Sequence, residues 1–369
     1  EWTFSDISHA SLKTSLNAMP EEWQNGYFIW TDGSWPTADM VLNEETGIWS
    51  YTIPLPCGTW NYCFYTGGSL NTAADDVKDA VRIWDPSNPP LLYDYEADNM
   101  NRDEQLSNIY VPYDNVKQSL SSNFAEEAPR KGENGTVFFT TVNFKDSIQS
   151  PFGIYLPFGY DSSRVEPYPV MVLLHGGGGV ESAWFNLGAA VNILDNMIAE
   201  KRVEPMVVIT PNATDLAWNR PLILDLITNT ILPYMEANYN IAKEPYRRAF
   251  MGLSMGGATT LYALFYNTSD FGYFMPLSAL ITNDFEANYE AQGIKDVKIC
   301  FGFGWYDFII SSYLEEKTGR RLMRHNLYDI MIDMADANIP FTSHPVYSGH
   351  TWTTWRQNLA YMLENVLWK

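Results

Sequence analysis

The chain of 369 residues is short of cysteine, of basic residues and of long apolar runs. Three cysteines cannot build a disulfide framework, and we expect Cys57, Cys63 and Cys300 to be free thiols. With 23 basic against 44 acidic residues, the formal net charge of −21 argues against nucleic acids and anionic membranes as partners, because both are bound by basic patches. No apolar run approaches the ~20 residues of a membrane span.

Histidine is scarce as well, with five residues. No cluster of histidines and carboxylates has the spacing of zinc ligands, so the sequence predicts chemistry without a metal or another cofactor. The length predicts two domains. The chain begins at Glu1 rather than at methionine. We therefore expect a signal segment to have been removed and the protein to be secreted, or located at the cell surface or in the periplasm.

The first 108 residues differ from the rest of the chain. They hold 17 of the acidic and only 4 of the basic residues, and seven of the 13 tryptophans. Between residues 27 and 65, short β-type runs alternate with turns. Several short strands at this spacing predict a small all-β sandwich domain over residues 1–108.

Four motifs of this domain have a recognisable order. They are Asp32-Gly33-Ser34-Trp35, Gly47-Ile48-Trp49, Pro56-Cys57-Gly58-Thr59-Trp60-Asn61-Tyr62-Cys63-Phe64 and Asp85-Pro86-Ser87-Asn88. The stretch resembles the glycogen-binding type of carbohydrate-binding module, family 48. The resemblance implies the sandwich fold, and it leaves open whether the tryptophans form the core or a platform for sugar.

The pattern of residues 109–369 is typical of an α/β domain. Strands are predicted at 136–143, 151–156, 169–174, 206–210, 247–253, 273–278, 297–303 and 341–347, and helices at 184–200, 221–238, 254–266, 312–337 and 351–367. Strands that alternate with helices predict a parallel sheet covered on both faces. Together with the serine motif described next, this predicts an α/β-hydrolase.

The motif Gly252-Leu253-Ser254-Met255-Gly256 is typical of a nucleophile elbow. A short apolar run precedes it and a predicted helix follows. A serine in a sharp strand-to-helix turn needs neighbours without a bulky Cβ, which the flanking glycines provide. We therefore predict that Ser254 is a catalytic nucleophile.

A serine nucleophile needs a base and an acid, which follow it along the chain in this fold. Elimination among the histidines leaves His350, which follows the last predicted strand at its carboxyl end. For the acid, Asp307 after the preceding strand is favoured, and Asp284 is the alternative. An oxyanion hole needs two backbone N–H groups. We predict those of Met255 and of Gly177, the latter in a glycine-rich turn after a buried strand.

The catalytic part carries six motifs in a fixed order. They are Tyr155-Leu156-Pro157-Phe158-Gly159-Tyr160-Asp161, Tyr168-Pro169-Val170 running into His175-Gly176-Gly177, Pro233-Tyr234, Gly252-Leu253-Ser254-Met255-Gly256-Gly257, Gly304-Trp305-Tyr306-Asp307 and Gly349-His350-Thr351-Trp352. They resemble carbohydrate esterase family 1, which holds feruloyl and acetylxylan esterases and is related to S-formylglutathione hydrolases and enterochelin esterases. The resemblance implies metal-free hydrolysis of esters on plant cell-wall polysaccharide.

Tryptophans near the predicted site bear on the acyl group. Trp305 precedes the acid, Trp352 follows the base and Trp184 follows the oxyanion turn. A planar aromatic acyl group buries more apolar area on such side chains than a methyl group does. We therefore expect release of ferulic acid from arabinoxylan. The alternatives are an acetylxylan esterase, an enterochelin-type siderophore esterase, and a binding protein on a degenerate hydrolase scaffold, which would lack one of the three catalytic positions.

Every predicted catalytic group lies beyond residue 108. The N-terminal domain is therefore expected to be separable from the chemistry. The alternative is that its aromatic surface packs on the esterase domain.

Overall fold

The computed structural model describes residues 10–14, 37–52, 55–66, 69–71, 76–78, 81–92, 106–117, 124–145, 148–282, 284–305, 307 and 326–369. The N-terminal part is all-β in these residues. Its strands are β1 (Ala10–Thr14), β2 (Thr37–Asp39), β3 (Val41–Asn43), β4 (Ile48–Ser50), β5 (Gly58–Thr66), β6 (Ser69–Asn71), β7 (Asp76–Lys78), β8 (Val81–Ile83) and β9 (Ser107–Val111).

The nine-residue strand β5 organises this part. It pairs antiparallel with β1, β8 and β9, and β1 pairs with β2. Two further hairpins are formed by β3 with β4 and by β6 with β7. The predicted all-β character is thus confirmed. The motif at 32–35 lies outside the described residues, and the likeness to a carbohydrate-binding module stays a prediction.

The second part is built on an eight-stranded sheet. Its strands are β10 (Thr136–Phe144), β11 (Ile148–Leu156), β12 (Val170–Leu174), β13 (Val207–Pro211), β14 (Arg248–Leu253), β15 (Tyr273–Leu277), β16 (Lys298–Gly304) and β17 (Thr342–Val346). The spatial order is β10-β11-β13-β12-β14-β15-β16-β17. β11 is antiparallel to both of its neighbours, and all other pairs are parallel.

Helices cover both faces of this sheet. They are α1 (Ala183–Asn186), α2 (Ala190–Ala199), α3 (Arg220–Leu226), α4 (Leu232–Asn238), α5 (Met255–Tyr266), α6 (Leu327–Asp336) and α7 (Trp352–Asn365). Alternate residues of β14 show the division: Phe250 packs with α3 to α6, whereas Ala249 and Met251 pack with α1, α2 and α7. This is the predicted α/β-hydrolase fold.

Three predicted helices differ in detail from the structure. The helix predicted at 184–200 is divided, because Ala189 adopts a left-handed conformation (φ 47°) between α1 and α2. The helix at 221–238 contains a π-helical turn at Ile227–Ile231. Pro233, which lacks an N–H for the regular i to i−4 bond, lies two residues after this turn. Of the helix predicted at 312–337, residues 312–325 lie outside the described part, and a capping box of Asn326 and Asp329 starts α6.

The cysteines are free and buried, as predicted. Burial raises the pKa of the Cys57 thiol to about 11 and also raises that of Cys300. A thiol with a raised pKa is a poor nucleophile, so these residues act as small apolar side chains. In the part of the chain that the structure describes, no helix has the length and apolar character needed to cross a membrane.

Candidate active site

Ser254 occupies a strained turn between β14 and α5. Its backbone has φ 54° and ψ −114°, a conformation that residues with a side chain rarely adopt. Crowding on both sides explains why glycines flank it. A Cβ at position 252 would lie 2.4 Å from the carbonyl oxygen of Gly256, and one at position 256 would lie 2.3 Å from that of His175. The turn is therefore the nucleophile elbow that the motif predicts.

Backbone hydrogen bonds to the loop after β15 hold this strained turn. The Ser254 N–H donates to the Leu277 carbonyl at 2.9 Å, and the Leu280 N–H donates to the Ser254 carbonyl at 3.0 Å. Ser254 is 8% exposed. Strain of this kind persists only where the surrounding structure holds the residue in place. The sheet edge thus fixes the position of Ser254, the predicted nucleophile, before any substrate binds.

His350 and Asp307 form a hydrogen-bonded pair at the same edge. The Nδ1 atom of His350 lies 3.1 and 3.0 Å from the two carboxylate oxygens of Asp307. The Asp307 side chain is fully buried, and that of His350 is mostly buried. A carboxylate can only accept here, so Nδ1 carries the proton and Nε2 is left with a lone pair. This is the tautomer that a general base for a serine hydroxyl needs.

Trp355 connects this pair to the serine elbow. Its ring packs edge-on against His350, with centroids 5.0 Å apart. Its indole N–H donates to the Ser278 hydroxyl at 3.1 Å. Ser278 directly follows Leu277, which holds the Ser254 N–H. The three residues predicted as nucleophile, base and acid therefore lie at one edge of the sheet.

Asp284, the alternative acid, is placed elsewhere. It is exposed and pairs with Arg220, with Oδ2 and Nη2 3.0 Å apart. A hydrogen bond from Thr282 and the charge of Arg220 lower the pKa of Asp284. It is a surface carboxylate in an ion pair, whereas Asp307 is the carboxylate that contacts His350.

The glycine-rich turn lies against the elbow, as an oxyanion hole requires. A Cβ at position 176 would come within 3.2 Å of the Ser254 Cβ, and one at position 177 within 2.9 Å of the Met255 sulfur. The predicted donors, the N–H groups of Gly177 and Met255, thus belong to segments in direct contact. Their action on a substrate stays a prediction.

His175 holds this turn, a role that the sequence did not reveal. It is 1% exposed. Its Nε2 accepts from the Ala213 N–H at 3.1 Å, so Nδ1 carries the proton and donates to the Gly176 carbonyl at 2.8 Å. A neutral imidazole therefore clamps the glycine-rich turn to the loop after β13. The position of a histidine directly before the glycines was the available signal.

The loop after β13 reinforces this clamp. The Thr214 hydroxyl donates to the Gly179 carbonyl at 2.8 Å, and Asn212 donates to the buried carboxylate of Glu181 at 2.6 Å. The adjoining Trp218 has a left-handed backbone, φ 56°, and packs edge-on against His175 at 5.3 Å. Two loops thus share the support of the turn.

The three tryptophans predicted to bind substrate have different surroundings. Trp184 is 1% exposed and its indole N–H donates to the Leu174 carbonyl at 3.1 Å. That prediction is corrected: Trp184 is a core residue beneath the glycine-rich turn and offers no surface to a ligand. Trp352 is half-buried between Trp184 and Trp355. Trp305 is 51% exposed at the end of β16 and remains a candidate for substrate contact.

Among the residues described, no group of three or more histidine, cysteine, aspartate or glutamate side chains is placed to hold a metal ion. His344, which lies in β17 as predicted, stacks on Tyr361 and contacts the Asn358 side-chain oxygen at 3.1 Å. His325 and His9 lie outside the described residues.

Comparison with known proteins supports the esterase character of this region. Residues 148–293 match the family described as "Putative esterase". The chain is 30% identical over 166 residues to endo-1,4-beta-xylanase Y of Acetivibrio thermocellus. That alignment covers 42% of this chain and 15% of the relative. It is 31% identical over 161 residues to an endo-1,4-beta-xylanase/feruloyl esterase of Xylanibacter ruminicola, covering 39% and 20%. The matches thus span a fifth or less of these relatives.

Solved structures share the fold. A ferulic acid esterase from Anaeromyces mucronatus in complex with ferulic acid superposes with a TM-score of 0.55 at 19% identity, over 65% of this chain and 94% of that one. The enterobactin esterase of Shigella flexneri superposes with a TM-score of 0.56 at 17% identity, over 98% of this chain and 88% of that one. The second superposition therefore extends into the N-terminal part.

Replacing the three predicted catalytic residues tests their roles. Ser254→Ala and His350→Ala are expected to lower kcat by about 10³-fold or more, and Asp307→Asn somewhat less, with unfolding temperatures close to that of the parent. The control is Asp284→Asn, which removes an exposed carboxylate and is expected to keep its activity. Loss of activity in Asp284→Asn, with Asp307→Asn still active, would reverse the assignment of the acid. The kcat of all four variants is measured by the hydrolysis of a p-nitrophenyl ester.

The clamp on the glycine-rich turn predicts an effect of His175→Ala. Loss of the imidazole leaves the Ala213 N–H without its acceptor and removes the support of the turn. We therefore expect kcat to fall by about tenfold or more, which is a smaller loss than the 10²- to 10³-fold decrease caused by deleting an oxyanion donor itself. KM should change little. Tyr155→Phe is the control, since it removes a buried hydrogen bond to Asp195 remote from the site. An equal loss of kcat in both variants would show that general destabilisation is the cause.

Proposed function

We propose that the protein is a serine carboxylic-ester hydrolase that releases a hydroxycinnamic acid, of the feruloyl type, from arabinoxylan. The observation that carries the proposal is the pair of His350 and Asp307, 3.0 Å apart at the edge where the elbow presents Ser254. A serine, an imidazole whose Nδ1 proton is held by a carboxylate, and that buried carboxylate are the groups that acyl transfer needs. The presence of all three argues against a binding protein on a degenerate scaffold.

The geometry suggests a two-step reaction. The Ser254 hydroxyl attacks the ester carbonyl while His350 Nε2 accepts its proton. The N–H groups of Met255 and Gly177 stabilise the oxyanion of the tetrahedral intermediate. Its collapse expels the sugar hydroxyl, which takes the proton from His350, and leaves an acyl-serine. Water, activated by His350, then releases the acid and restores the serine.

A feruloyl rather than an acetyl group is proposed because of Trp305. This side chain is half-exposed two residues before Asp307 and gives a flat apolar surface beside the acid. Stacking on a planar acyl group contributes about 0.5–1.5 kcal/mol beyond the area buried. The named activity of the Xylanibacter relative and the ferulic acid in the Anaeromyces structure support the same choice. Plant cell-wall polysaccharide would then be the partner, and a location outside the cytoplasm would follow.

An enterobactin-type siderophore esterase is the second candidate. The superposition over 98% of the chain, including its N-terminal part, favours it. Electrostatics argues against it. The guanidinium of Arg220 is already paired with Asp284, and a net charge of −21 repels an anionic catecholate.

Relative kcat/KM values decide between the substrates. Methyl ferulate is expected to be hydrolysed with a clearly higher kcat/KM than an acetylated xylo-oligosaccharide or a cyclic tris-catecholate ester. A higher kcat/KM for the acetylated oligosaccharide would contradict the feruloyl esterase hypothesis and favour an acetylxylan esterase. A preference for the catecholate would support the siderophore reading. The Ser254→Ala protein is the blank for each substrate.

The role proposed for Trp305 predicts a selective effect of Trp305→Ala. KM for methyl ferulate should rise by about threefold to tenfold, as expected from the loss of ~0.5–1.5 kcal/mol of stacking, while turnover of p-nitrophenyl acetate changes little. Tyr246→Ala is the control, because Tyr246 is also an exposed aromatic residue but precedes β14 at the opposite edge of the sheet. An unchanged KM in Trp305→Ala would remove this side chain from the acyl site.

A further inference from the structure

Arg356 joins three separate segments of the chain inside the protein. It lies in α7, five residues after the α7 N-cap, and its side chain is 4% exposed. Nη1 donates to the Leu187 carbonyl at 2.6 Å, and Nη2 donates to the Thr59 carbonyl at 2.8 Å. Nε lies 3.2 Å from Glu127 Oε2 in an ion pair that is not aligned as a hydrogen bond. One guanidinium thus ties α7 to the N-terminal strand β5.

Glu127 completes this connection. Its Oε2 accepts the Thr59 N–H at 2.8 Å, so the Arg356–Glu127 pair binds both backbone groups of Thr59. Burial lowers the pKa of Arg356, and the charge of Glu127 opposes that shift. A buried ion pair of this kind contributes little net stability, but removing one partner is costly. It therefore specifies how β5 and α7 fit together.

Apolar contacts lead from the same sheet to His350. Cys63 of β5 and Leu106 form a buried cluster with Leu187, and Trp352 packs against it. Trp352 then packs edge-on against Trp355, with centroids 5.0 Å apart, and Trp355 packs in the same way on His350. The first turn of α7 is thus wedged between the N-terminal sheet and the catalytic histidine.

A second attachment lies on the oxyanion side. Asn186 in α1 exchanges two hydrogen bonds of 2.7 Å with the backbone of Leu91, and its carbonyl accepts from Asn108 at 2.7 Å. α1 follows the glycine-rich turn and carries Trp184, which supports that turn from below. Segments around residues 91 and 108 therefore contact the helix after the turn, as β5 contacts the helix after the histidine.

We infer that the N-terminal sheet is a positioning element of the catalytic site, which holds α7 and with it His350 through Arg356, Glu127 and the cluster under Trp352. Arg356 is a positioning residue, since it contacts no reacting group. The inference rests on the proposed serine chemistry. It replaces the expectation that residues 1–108 are separable from catalysis by the alternative that they pack on the esterase domain.

The physical reason is the short distance along the chain. α7 begins two residues after His350, so a shift of its first turn would displace the imidazole. A misplacement of about 1 Å can cost about a hundredfold in rate. Trp305, the proposed acyl contact, is not among the residues that join α7 to β5, so we expect substrate binding to be unchanged.

Two full-length variants test the inference. Glu127→Gln/Arg356→Met removes both buried charges together, which avoids leaving one unpaired. Leu106→Ala opens a cavity under Trp352 from the N-terminal side. Both are expected to lower kcat by about ten- to a hundredfold with KM within about twofold. The rate at which a fluorophosphonate labels Ser254 should fall in parallel, because that reaction needs the assembled serine and base.

Matched controls lie on the far end of the same helix. Arg202→Met removes the pair that Arg202 forms with Glu364, and Leu363→Ala opens a core cavity in α7. Leu363→Ala should lower the unfolding temperature like Leu106→Ala, whereas Arg202→Met, which removes a partly exposed pair, should lower it less. Both controls should keep their kcat and labelling rate. If the two test variants, Glu127→Gln/Arg356→Met and Leu106→Ala, fold and keep kcat and the labelling rate within about twofold of the parent, the inference is wrong. Should the double variant fail to fold, Leu106→Ala decides by the same criteria.

The labelling rate separates this inference from the choice of substrate. A parent protein that reacts with the fluorophosphonate but does not cleave methyl ferulate would overturn the feruloyl proposal only. The comparison of labelling rates between variants and controls would then still decide whether the N-terminal sheet positions His350.

Discussion

The close approach of two backbone segments at the elbow is the constraint on which the site depends. A Cβ on Gly256 would lie 2.3 Å from the His175 carbonyl, and one on Gly257 would lie 2.6 Å from the Leu277 carbonyl. The start of α5 therefore sits directly on the ends of β12 and β15. That contact forces Ser254 into its strained turn and brings the glycine-rich turn beside it. Ser254 and the glycine-rich turn, the predicted nucleophile and oxyanion donors, are thus placed by the same packing.

Buried polar side chains secure the loops around this contact. His175 bridges the turns after β12 and β13, Asp307 orients His350, and Arg356 joins α7 to β5. Each makes hydrogen bonds or an ion pair that offset the cost of leaving water. Because a half-satisfied network would be destabilising, these contacts define one arrangement of the loops. Catalytic geometry thus depends on polar groups well outside the reacting atoms.

The predictions for the three catalytic positions rest on local or topological rules, and the structure places these residues at one edge of the sheet. Ser254 follows from a five-residue motif whose glycines have a steric reason. His350 and Asp307 follow from the rule that parallel strands end at one edge, which brings residues far apart in sequence together. Trp184 shows where such rules stop. Proximity along the chain placed it near the turn, but the direction of its ring depends on the packing of α1 against β12.

By itself, the sequence determined the order of strands and helices and the elbow, and it predicted His350 as the base and Asp307 or Asp284 as the acid, because periodicity, glycine sterics and strand polarity are written in local patterns. The tertiary structure alone decided which carboxylate meets His350, that His175 clamps the oxyanion turn, and that the N-terminal sheet touches the helix behind the histidine. The last of these contacts depends on the side chains of Arg356 and Glu127, which lie 229 positions apart in the sequence (356 less 127). No local pattern encodes a contact whose partners meet only when segments distant in sequence pack together.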